Sequence, residues 1–295
     1  MTRSVLVPTI LALCAAGSAA ALDHELAYAP LVVGAAPGST PEYHIGIDTA
    51  LKSKLTDDYR VVNDDTVLGV DAQFRAMGLG IALNTDWGIG QGTDYSRPGS
   101  KTSPGELLRT EIKLDYVIEI RDPRDSSVPL LQIIPRFDYI TYPNQRDVFT
   151  ATYDNYLKDR QHWLGVDVWW AMPIEGMELG GGVDYNMSNT FAAVRGGLGA
   201  REFIQYNSVD LAFWQILTLG DADYRNIIGG EDKMGANAVA AGGRATLPMF
   251  AEDVFGFVEI EASYWIDGDI RENLSNSGRD IGNVVLAFGL NWQPE

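Results

Sequence analysis

Cysteine is nearly absent from this chain of 295 residues, and histidine is scarce: Cys14 stands alone, and His24, His44 and His162 are the only imidazoles. A single thiol forms no internal disulfide and confines thiol chemistry to one position. Ser-His-acid hydrolysis needs a histidine in contact with both a nucleophile and an orienting group. No histidine–serine motif surrounds any of the three, so we expect no catalysis and no cofactor or metal centre. Positive charge is also short: 22 Lys and Arg stand against 40 Asp and Glu, a formal net charge of −18. Nucleic-acid binding needs clustered cations and is excluded as a role. Past the first residues no window approaches about 18 uninterrupted apolar residues, so any membrane span has to be built from strands. Gly180-Gly181-Gly182 and Gly196-Gly197 lie in strand-like stretches rather than strand-to-helix turns, which argues against a phosphate cradle. No heptad pattern points to a coiled-coil partner.

The clearest positive signal is Leu108 to Arg121. Leu108, Thr110, Ile112, Leu114, Tyr116, Ile118 and Ile120 alternate with Arg109, Glu111, Lys113, Asp115, Val117, Glu119 and Arg121. Strict alternation is the strand period, giving one apolar and one charged face. The segment is longer than the usual strand of about 5–6 residues and long enough for a tilted bilayer-crossing strand, which needs about 9–11.

Eleven further segments alternate in the same way: 43–51, 68–75, 77–87, 131–141, 163–172, 177–187, 194–201, 209–219, 238–247, 254–266 and 284–292. In 209–219 the parity is ambiguous. Parity flips at Ala76-Met77-Gly78, as a tight hairpin requires. Pro135 cannot donate to a ladder, and a bulge is expected there. Connections near 77, 122, 174, 204 and 250 are short, and those near 58, 98, 152, 228 and 274 are long; the one near 190 departs from this alternation. These features predict an all-β fold: a closed antiparallel up-and-down transmembrane β-barrel of about 12 strands, with short periplasmic turns and long extracellular loops. Tyr43, Trp87, Tyr139, Tyr185, Tyr264 and Trp292 fall near the ends of apolar rows, where aromatic girdles would sit. A soluble sandwich, which hides its apolar faces, is the competing all-β reading.

Three domains of organisation are expected. Residues 1–21 read as a secretory signal, with Arg3, an apolar run from Val5 to Ala16 and the small residues Ser18 to Ala21; Cys14 would leave with it. Residues 22–40, with Pro30 and Pro37, read as a flexible entry segment, and 41–295 as a single β-barrel.

The last strand, Val284-x-Leu286-x-Phe288-x-Leu290-x-Trp292, ends on an aromatic and is followed by Gln293-Pro294-Glu295. With the export signal, this resembles the outer-membrane β-barrel class of Gram-negative bacteria, in the porin-like sense and without a specific family. The resemblance implies residence in the bacterial outer membrane, contact with its lipid and assembly by the barrel-insertion machinery, which reads an aromatic-tipped last strand.

A barrel of this width leaves a lumen. Arg109, Glu111, Lys113, Asp115, Glu119, Arg136, Asp138, Arg195, Arg244, Glu259 and Glu261 are the expected pore-lining residues, on the faces opposite the apolar rows. Such a lining would select small hydrophilic or charged solutes by width and field. The alternative is a lumen closed by ion pairs, a plugged structural or adhesive barrel acting through acidic surface loops. Asp57-Asp58, Asp64-Asp65, Asp221 with Asp223, Glu231-Asp232 and Asp267 with Asp269 are the acidic loop clusters. Their spacing lacks a full calcium loop, and solvated charge is the simpler account.

Overall fold

The computed structural model describes residues 43–57, 60–92, 101–122, 125–143, 160–174, 176–187, 193–227, 233–251, 253–276 and 280–293. The signal and entry segments, with Cys14 and His24, lie outside these, as do Asp58 and Glu231-Asp232. Among the described residues fifteen strands and two helices form in order. The strands are β1 (Tyr43–Lys52), β2 (Leu55–Asp57), β3 (Arg60–Asn63), β4 (Val67–Ala76), β5 (Leu79–Gly88), β6 (Leu107–Tyr116), β7 (Ile118–Asp122), β8 (Asp125–Thr141), β9 (Arg160–Ala171), β10 (Met177–Asn186), β11 (Val194–Tyr206), β12 (Val209–Gly220), β13 (Gly235–Pro248), β14 (Val254–Trp265) and β15 (Gly282–Trp292). Helix α1 (Ala222–Ile227) follows β12, and α2 (Gly268–Asn276) follows β14.

Every neighbouring pair in the wall is antiparallel, β1 pairs with both β4 and β15, and β6 pairs with both β5 and β8, so the sheet closes. β6 and β7 are two parts of one strand broken at Val117, and β2–β3 is a separate hairpin. The fold is therefore a closed, twelve-strand, up-and-down antiparallel β-barrel. Followed strand by strand, the registers return to β1 displaced by about 16 residues, a shear that tilts the strands by roughly 40–45°. The same geometry puts opposite backbones about 25 Å apart.

The apolar rows face outward. Ile81, Leu83, Ile112, Leu114, Ile118, Leu164, Val168, Leu198, Val258, Ile260, Leu286 and Phe288 are all large, apolar and exposed. The inner face holds the buried Arg, Asp, Glu and Gln side chains. This inverts the arrangement of a soluble sandwich, whose apolar faces meet each other. Twelve continuous apolar rows of this kind suit hydrocarbon and not water.

The hairpin at Ala76–Leu79 turns through Met77 (φ 50°) and Gly78 (φ 86°). Two consecutive positive φ values match the right-handed twist of the flanking strands. Pro135 produces no bulge: β8 keeps one register against β9 through it. Across the proline it also keeps one register from β6 into β7, as Asp115↔Arg136 and Ile118↔Ile133 show; the shifts against β7 come later, after Ile120. By that register Pro135 faces Tyr116, the last residue of β6, and the partner strand is interrupted just beyond it, at Val117, opposite Ile134. Bulges occur elsewhere, between Asp86 and Trp87 on β5 and between Leu217 and Leu219 on β12. The first corrects the expected alternation. Leu108 leaves the outward row and is buried with Leu55 and Val67, because the irregularity gives β6 one extra residue there.

Candidate functional site

The interior of the barrel is the candidate site, and its two sides differ. Along β8 to β11 the side chains are packed. Arg136 (β8) holds Asp138 at 2.8 Å, Asp167 at 3.0 Å and Asp184 at 2.6 Å. Asp184 in turn meets Arg195 at 3.2 Å. The Arg195 guanidinium lies 4.0 Å from the ring centre of Trp163, and that of Arg201 4.1 Å from Trp169. Arg201 also pairs with Glu178. Stacking on an aromatic face suits a planar, weakly hydrated guanidinium. The wall closes because glycines make seats for these groups. Built side chains at Gly165 and Gly180 would collide with the Asp184 carboxylate and the Trp169 ring, respectively.

The other side, along β1, β4, β5 and β6, stays open. A cavity of about 140 Å³ runs against it and reaches β13, β14 and β15. Lys52, Asp71, Asp86, Arg109, Glu111, Lys113 and Asp115 border it, with Arg244 and Glu259 opposite. Here the pairs lie beside open space, with Arg75 meeting Asp115 at 2.5 Å. Lys52 meets Asp86 at 2.9 Å and Arg109 meets Glu111 at 2.9 Å, with Lys113 3.8 Å from Glu111. Arg244 reaches across to Asp48 at 3.3 Å and Glu259 at 3.8 Å, and lies 3.7 Å from the ring centre of Phe257.

An apolar cluster fills the interior where β12, β13 and β14 approach the long-loop rim. Trp163, Trp214, Ile216, Ala240 and Trp265 meet Tyr224 of α1 and Ile270 and Leu274 of α2. The ambiguous parity of 209–219 is explained: β12 is apolar on both faces, inward against this cluster and outward with Leu211, Phe213 and Leu217. Two acidic loop positions turn out to be helix caps. Asp221 accepts from the Tyr224 amide at 2.7 Å, and Asp267 accepts from the Asp269 and Ile270 amides at 3.1 Å. Asp267 also pairs with Arg225, joining the two helices.

Of the expected lining residues, Arg109, Glu111, Lys113, Asp115, Arg244 and Glu259 border the cavity. Arg136, Asp138 and Arg195 face inward but lie in the packed wall. Glu119 pairs with Arg121 at 2.6 Å near the short-turn rim, and Glu261 is buried away from the cavity. Lys52 and Asp86 were missing from the expected set. Asp86 has the right parity, but Lys52 reads as the start of a polar loop until the register shows it still in β1. Among the described residues no group of three or more His, Cys, Asp or Glu is placed to hold a metal ion.

No family model matches the chain, and no curated protein does. Several solved structures align with most of the chain at low identity. The KdgM porin aligns over 84% of this chain and 98% of its own at 9% identity, with a TM-score of 0.46. An outer membrane channel from Pseudomonas putida F1 aligns over 88% and 98% at 10% identity, with a TM-score of 0.48. The outer membrane channel DcaP of Acinetobacter baumannii aligns over 87% and 99% at 10% identity, with a TM-score of 0.33.

Proposed function

We propose that this protein is an outer-membrane channel for passive diffusion of small hydrophilic or charged solutes. The observation that carries the reading is a cavity of about 140 Å³ bordered by acidic and basic side chains inside a closed barrel whose outside is apolar. Charged groups that border such a space can stay hydrated, and a solute can exchange for that water. Arg109, Glu111, Lys113, Asp115, Arg244 and Glu259 set its field, and Arg136, Asp138 and Arg195 set its width from the packed side. Nothing in this reading asks for a catalytic step. Export by the segment 1–21, insertion through the strand ending at Trp292 and residence among outer-membrane lipid belong to the same proposal.

The packed wall and the two helices set against the apolar cluster favour a second reading, a plugged barrel acting through its loops. Planar-bilayer conductance of the refolded chain separates the two, with Glu259→Gln as a probe. Stepwise currents whose ion preference moves with that change support the channel. A barrel that folds, resists detergent until heated and inserts, yet carries no current, sinks it.

A further inference from the structure

Within the open side of the lumen, one height carries an unusual row. Cross-strand registers place Asp48 (β1) directly opposite Asp71 (β4), Asp71 opposite Asn84 (β5), and Asn84 opposite Glu111 (β6). All four border the cavity. Like charges directly opposite each other on neighbouring strands repel, so two facing carboxylates need compensation. The outer members of the row have it. Asp48 accepts from Arg244 and from Asn291, and Glu111 accepts from Arg109 and Asn84, each at 2.9 Å. Asp71, between them, makes no hydrogen bond or ion pair among the described residues. Its nearest cation on the same wall, Lys52, is engaged by Asp86 at 2.9 Å. The space beside Asp71 is therefore a position in the lumen where a positive charge from outside finds an unengaged carboxyl group.

We infer that the Asp48–Asp71–Asn84–Glu111 row is a cation transit site, which makes passage run along the β1–β6 wall and favours small cations and solutes bearing an ammonium group. The inference rests on the channel reading and names the charge class it passes. Three carboxylates and an amide strung along one row, the outer two carboxylates already engaged by arginines, do not form the compact oxygen cage that holds a divalent ion. A hydrated monovalent cation or a primary ammonium fits better, since either exchanges water for carboxylate contacts without needing fixed geometry. Weak, replaceable binding of this kind is what conduction requires. The packed wall offers no equivalent position, because Asp138, Asp167 and Asp184 there already surround Arg136.

The test has two arms. In planar bilayers under a potassium chloride gradient, the unaltered protein should prefer potassium over chloride. Asp71→Asn should lower that preference about threefold or more, and Asp71→Lys should reverse it. Currents whose reversal potential ignores both changes overturn the inference and leave the channel reading standing. The second arm does not depend on current. With Cys14 replaced, Gln73→Cys places a thiol on the inner face two residues from Asp71. Its modification in the detergent-folded barrel by a cationic thiosulfonate should outpace that by an anionic one. Adding Asp71→Asn should shrink the ratio by a similar factor. An unchanged ratio in a folded barrel overturns the inference even where bilayers stay silent.

Discussion

The two sides of the lumen are built from the same residue types and reach opposite outcomes. Along β8 to β11, Arg136 touches three carboxylates and its side chain is 2% exposed. Along β1 to β6, Lys52 meets Asp86 and Glu111 meets Arg109, Lys113 and Asn84, and a cavity lies beside them. Charge alone therefore does not decide whether an interior is shut or open. The packed side has Trp163 and Trp169 as stacking platforms and Gly165 and Gly180 as seats, so side chains interlock. The open side offers the small Ala50 and Ala82 at inward positions; Gly69 and Gly80 seat Lys52 and Arg75 there, and Phe257 lies against Arg244, yet a cavity remains beside them. Paired ions in a dry environment hold each other because desolvation punishes any separation. Paired ions beside water are free to trade partners.

The largest expected effect comes from breaking the packed side. Arg136→Met would remove the shared partner of three buried carboxylates and should cost about 3–5 kcal/mol of stability, read by urea unfolding in detergent. The matched change on the open side, Arg109→Met, should cost less, since Lys113 and Asn84 remain beside Glu111 and the cavity adjoins it. Equal losses would erase the distinction between the two sides. A smaller effect tests the glycine seats. Gly180→Leu would force the Trp169 ring from its place and should destabilise by about 1–3 kcal/mol. Ala82→Leu should be tolerated, filling cavity instead of displacing a ring, and should appear as reduced single-channel current. The smallest concerns the rim. Asp267→Ala removes the α2 cap and the link to Arg225, and should cost about 1 kcal/mol locally. Faster proteolysis within 266–281, with the unfolding midpoint of the barrel almost unmoved, is the expected pattern.

Much of this architecture was legible in the residues. The twelve alternating segments are the twelve walls, and the Met77-Gly78 hairpin falls where parity flips. Period-two alternation is a local property, set by the pleat, so it survives without knowledge of neighbours. Three features were not legible. Leu108 follows the apolar parity yet turns inward, because the bulge that moves it depends on the pairing with β5. The helices α1 and α2 are short and lie in loops too polar to show a helical period; they are held by capping carboxylates and by apolar contacts inside the barrel. The division of the inner charges into packed and open sets was also hidden. Arg244 meets Asp48 from 196 positions away, and Arg136 meets Asp184 from 48.

The sequence by itself determined that the chain alternates, where it turns, which face of each strand is apolar, and that its interior would carry both signs of charge. Those are consequences of backbone geometry and side-chain type along one strand at a time. Only the tertiary structure decided how the charges meet, because closure of the ring brings distant strands to a common height. Register and shear place Asp71 between Asp48 and Asn84 and place Arg136 among three carboxylates. Coulombic and packing energies fall steeply over a few ångströms, so a lumen with the same composition and a different register would open along a different wall.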